Sequence, residues 1–85
     1  MTVRDFADAV ITLALKYNLS CTSWGRTTAR NQAVGGVADS YHLIWLGADV
    51  VFDGNTTKNV NFESDANRVG LQALYEVNHY HLQPR

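Results

Sequence analysis

Three histidines and one aspartate are the residues in this chain best suited to chemistry, and they fall into two short segments. The first runs Ser40-Tyr41-His42-Leu43-Ile44-Trp45-Leu46-Gly47-Ala48-Asp49 and leads into the apolar run Val50-Val51-Phe52. A carboxylate that close to a hydrophobic strand is costly to bury unless a cation or a set of donors compensates it, and a metal ion is an economical compensation. The second segment is His79-Tyr80-His81. Residues i and i+2 of a strand share a face, so this strand beside the His42/Asp49 segment would bring two nitrogens and one oxygen to one point, a zinc-type donor set. The same residues also have structural readings, as hydrogen-bonded histidines and as a cap or turn aspartate before a strand. Clustering of all three histidines at ligand-like spacing is what favours the metal. Ser40, two residues before His42, suits a turn or an outer hydrogen bond that orients a ligand.

Several elements must position these groups. Val3, Phe6, Ala7, Val10, Leu13, Ala14 and Tyr17 recur at helical spacing, Thr2 and Asp5 form a capping-box pattern, and Asn18 is a C-terminal stop, so a helix is predicted over 3–17. Leu19 to Trp24 reads as a strand ending at Gly25, and Thr27 to Val34 as a helical turn or two broken by Gly35-Gly36. Leu46 to Asp53 reads as the central strand, and Asp53-Gly54-Asn55 opens a loop through Asn61. Ser64 is the predicted cap of a short second helix through about Val69, with Phe62, Ala66 and Val69 as its buried stripe and Gly70 as its end. Leu71 to Val77 and Tyr80 to Gln83 follow as two β segments, although Leu71 to Tyr75 also fits a continuation of the helix. The order predicts an α+β fold: a small antiparallel sheet with an N-terminal helix and a short second helix, and the zinc site on the sheet.

A length of 85 residues allows one domain, and 46% hydrophobic with 18% charged residues describes an ordinary globular chain. The net charge of −1 and the absence of a basic run argue against nucleic acid as a partner. No apolar run approaches the ~20 residues of a membrane span, and Met1-Thr2-Val3-Arg4-Asp5 has no export-signal pattern. Cys21 is the one cysteine, which excludes an intrachain disulfide, and it is expected to be buried and structural.

Taken together, Thr22-Ser23-Trp24-Gly25-Arg26, Asn31, Gly35-Gly36, Ser40-x-His42, Gly47-Ala48-Asp49 and His79-x-His81 resemble the M15 family. These are the zinc D-Ala-D-Ala carboxypeptidases and phage L-alanyl-D-glutamate endopeptidases, which are related to lysostaphin-type and hedgehog-type domains. The resemblance spans residues 20–83. It implies one M15-like domain over 1–85, with Zn2+ held by His42, Asp49 and His81. Arg26 would contact the substrate carbonyl or carboxylate with Ser40 nearby, and His79 would be the non-ligand histidine that stabilises charge or shuttles a proton. The implied activity is hydrolysis of a peptide bond in peptidoglycan stem peptides. The implied setting is a bacteriophage endolysin, in the host cytoplasm or on the virion, acting on the bacterial cell wall.

Two positions depart from the family pattern. Trp45 stands where a small residue is usual, so its bulk must be accommodated by the local backbone. Asn78 stands three residues before the last ligand, where many members carry an acid as general base. An amide cannot take a proton from water, which leaves His79 or Glu76 for that task. The alternative expectation is a catalytically impaired zinc module that binds the wall or serves a structural role.

Overall fold

Residues 1–25, 35 and 45–85 are described in a computed structural model of the chain. Helix α1 (Val3–Tyr17) starts where the capping box predicts, with Thr2 Oγ1 accepting from the Asp5 N–H at 3.0 Å and Asp5 Oδ2 from the Thr2 N–H at 3.3 Å. It stops at Asn18, which turns left-handed at φ 54°. The buried stripe is Phe6, Ala9, Val10 and Leu13. This is narrower than the seven-residue face expected: Val3, at the helix end, is exposed although Val10 on the same face is buried, Ala7, Ala14 and Tyr17 are half-buried, and Ala9 joins the stripe.

The sheet has four antiparallel strands, β1 (Leu19–Trp24), β2 (Ala48–Phe52), β3 (Leu71–Glu76) and β4 (His79–Pro84), in the order β1-β2-β4-β3. The last strand is thus inserted between β2 and β3. This is the predicted α+β architecture with the predicted central strand, shortened to Ala48–Phe52. Leu71 onward is strand and not helix. Gly70, at φ +87°, turns the chain out of α2, and the alternation of Leu71, Ala73 and Tyr75 with Gln72, Leu74 and Glu76 has the period of a strand.

Helix α2 (Val60–Arg68) begins earlier than the Ser64 cap predicted. Asn59 is the cap: its Oδ1 accepts from the Phe62 N–H at 3.0 Å, and its own N–H donates to the Tyr80 hydroxyl at 2.7 Å. Asn caps as well as Ser does, and a bond to the core tyrosine settles which of the polar residues between 55 and 64 is used. Phe62 and Ala66 are buried and Val69 packs at the edge of the core, as the stripe predicts.

Both helices contact strands, and the core lies between them and one face of the sheet. Its centre is a set of inclined rings: Phe62 lies 4.8 Å from Tyr80, 5.1 Å from Tyr17 and 5.2 Å from Phe52, while Phe6 meets Trp24 edge-on at 5.5 Å. Cys21 corrects an expectation: it is exposed on edge strand β1, and its thiol lies 3.5 Å from the Ser23 carbonyl. No helix among the described residues is long and apolar enough to cross a membrane.

Candidate functional site

Alternation along β2 explains the misplaced aspartate. Ala48 and Val50 are buried in the core, so Asp49 between them points to the opposite face of the sheet, where its side chain keeps 17% of its exposure. The full cost of burying a charge in the core is therefore not incurred. On β4 the same parity sends Tyr80 and Leu82 into the core and His79, His81 and Gln83 outward. The register of β2 against β4 sets Asp49 directly opposite His81. Residues 32 positions apart in sequence thereby meet, with His81 Nδ1 3.1 Å from Asp49 Oδ1.

His79 shares this face, as the i, i+2 spacing predicts, and its Nε2 lies 3.9 Å from Asp49 Oδ1. That is an ionic contact distance rather than a hydrogen bond. Its other ring nitrogen, Nδ1, is 3.0 Å from Asn78 Oδ1. An amide oxygen only accepts, so this bond forms when Nδ1 carries the hydrogen, and Nε2 is the nitrogen that faces Asp49. Asn78, Asp49 and His79 line an open depression of about 250 Å³ together with Thr22 and Val51. Glu76 is the cross-strand partner of His79 on β3, exposed on the same face but outside the lining of the depression.

The acidic neighbour dominates the electrostatics. The hydrogen bond to Asp49 holds the His81 imidazole above its ordinary pKa, helped by the Asp49 charge and Gln83 and opposed by partial burial. Two atoms each about 2.0–2.1 Å from a tetrahedral zinc ion lie about 3.3 Å from one another, so the 3.1 Å between Asp49 Oδ1 and His81 Nδ1 fits two ligands of one ion. The same separation fits a hydrogen bond when Nδ1 carries hydrogen. Among the described residues no group of three metal-ligating side chains is assembled. The expected third ligand, His42, lies outside the described residues, as do Arg26, Ser40 and the helical turn predicted over 27–34.

Thr22, Val51 and Gln83 were not among the residues expected at the site. Thr22 is the extra residue of a β-bulge between Cys21 and Ser23, where the β1 register against β2 shifts, and its Oγ1 donates to the Asp49 carbonyl at 3.3 Å. Nothing in its sequence context marks a bulge. Gln83 stands at i+2 from His81, a spacing that would have pointed to it once β4 was taken as a strand. The chain matches no protein-family model, no curated protein and no solved structure.

Proposed function

We propose that this chain is a zinc-dependent peptidase that hydrolyses a peptide bond in the stem peptides of bacterial peptidoglycan, in the manner of a phage-encoded lytic enzyme. The observation that carries this reading is the pairing of Asp49 and His81 across β2 and β4, with His79 beside them over an open depression. With His42 as the third ligand, Asp49 and His81 would make a His2Asp donor set, which would leave a coordination position open as catalytic rather than structural zinc sites do. When bound there, zinc supplies a Lewis acid for the scissile carbonyl and lowers the pKa of water.

The protein's own groups have distinct tasks in this reading. His79, held through Nδ1 by Asn78, presents Nε2 to the depression, where it takes up or returns a proton. Asn78 orients that ring and accepts no proton itself. Arg26 binds a carbonyl or terminal carboxylate of the substrate as a fork, with Ser40 supporting the ligand segment. A second reading, a zinc module that binds the wall without cutting it, draws on one observation: Asp49 is the one carboxylate lining the depression among the described residues.

Turnover of purified peptidoglycan, measured before chelation, after it and after zinc is returned, tests the proposal. Loss and recovery of activity are expected, and His79→Ala should lower turnover by ~10²–10⁴-fold with zinc content unchanged. Zinc binding without turnover would favour the wall-binding module. Activity indifferent to chelator would sink the zinc reading.

A further inference from the structure

A line of side chains crosses the outer face of the sheet from its edge to the candidate metal ligands. Gln72 on β3 is the register partner of Gln83 on β4, and the Gln83 Nε2 amide donates to Gln72 Oε1 at 3.1 Å. A side-chain amide has a donor end and an acceptor end, so with its nitrogen engaged by Gln72 the Gln83 carbonyl faces the other way. Gln83 Oε1 is 3.0 Å from His81 Nε2, and His81 Nδ1 is 3.1 Å from Asp49 Oδ1.

This arrangement bears on which nitrogen of His81 meets a metal. A neutral imidazole carries one ring hydrogen, and the nitrogen that ligates must be the other one. Asp49 alone would draw the hydrogen to Nδ1, where it blocks coordination at the point Asp49 shares. An acceptor at Nε2 opposes that pull, and with a cation at the shared point it holds the ring hydrogen and leaves the Nδ1 lone pair directed at the same point as the carboxylate. We infer that Gln83, its amide oriented by Gln72, is a positioning residue that holds the His81 hydrogen on Nε2 and so makes Nδ1 the ligand atom beside Asp49. The inference rests on the zinc reading of Asp49 and His81.

Zinc affinity by competition with a chromophoric chelator, and nitrogen-15 NMR of the imidazole rings, test this on the full chain as parent, Gln83→Leu and Gln83→Glu. The parent is expected to bind zinc with the His81 hydrogen on Nε2. Gln83→Leu should bind zinc about 10–100-fold more weakly, the usual effect of removing a partner of a metal-ligating histidine. Gln83→Glu keeps an acceptor oxygen and should recover most of that loss. Equal affinity in parent and a folded Gln83→Leu would overturn the role of Gln83 while leaving the zinc site standing. A zinc-loaded parent with its His81 hydrogen on Nδ1 would overturn it also, and needs no variant to fold. A parent that binds no zinc overturns the zinc reading itself, and the inference with it.

Discussion

Trp45 is accommodated by a residue that has no side chain. Its indole lies over Gly25, where a Cβ atom would come within 2.1 Å of the Trp45 ring, and its carbonyl accepts from the Trp24 indole N–H at 3.3 Å. Both residues are left-handed, Gly25 at φ +58° and Trp45 at φ 61°. Gly25→Ala therefore meets two penalties, a left-handed alanine and a collision with a ring, and is expected to destabilise the fold by about 2–4 kcal/mol. Urea unfolding measures this. Gly25→Ala in a Trp45→Ala background should regain the collision part, and strict additivity of the two changes would show that the rings and not the backbone had been misjudged. The sequence showed that Trp45 needed room but not where the room was, because Gly25 lies twenty positions away and reads locally as the end of a strand. Asp49 and His81 were legible for the opposite reason, since their types and spacings carry the signal themselves. Thr22 and Gln83 belong to the site only through a bulge and a register, which no single residue type encodes.

At the level of elements, the β3–β4 hairpin closes through Val77-Asn78, and Val77 has the wrong shape for its place. It is 90% exposed at φ 56°, with the Asn78 N–H donating back to the Glu76 carbonyl at 2.5 Å. This is a two-residue hairpin loop between the register partners Glu76 and His79 with positive φ at its first position, a place that favours glycine, and a β-branched residue there is a clear outlier. Val77→Gly should relieve about 1–2 kcal/mol of left-handed strain, less the larger entropy glycine brings to the unfolded chain, for a net gain of about 1 kcal/mol. A rise in the denaturation midpoint with unchanged slope is the expected result, and a fall would mean that the isopropyl group stabilises the turn in some other way. The elements themselves were largely readable, α1 from its capping box and β3 from its alternation. The start of α2 was not, because several residues between Asn55 and Ser64 have good capping chemistry, and the choice of Asn59 depends on the distant Tyr80 hydroxyl.

Across the whole molecule, one carboxylate ties the two helices together. Asp65 on α2 accepts from Lys16 Nζ at 2.7 Å and from the Tyr17 hydroxyl at 2.5 Å at the end of α1, and from Arg68 Nη1 at 2.6 Å. Hydrogen bonds from Lys16 and then Tyr17 hold its carboxyl below the ordinary value of 3.8. A carboxyl with a lowered folded pKa stabilises the fold above its unfolded value, and that contribution is lost as pH falls through the lower folded value. Asp65→Asn should accordingly lower the melting temperature at neutral pH, and the gap between parent and variant should close in acid, below 3.8. A gap independent of pH would show that the bonds of Asp65, not its charge, are what matters. The position of β4 has a separate consequence for how the molecule comes into being. β2 and β3 are synthesised before β4, yet neither touches the other in the finished sheet except through it. A chain halted on the ribosome after β3 therefore has two unjoined strands and an Asp49 without His81 opposite it. The Asp49–His81 pairing thus forms only once β4 has been made and has inserted between its two neighbours.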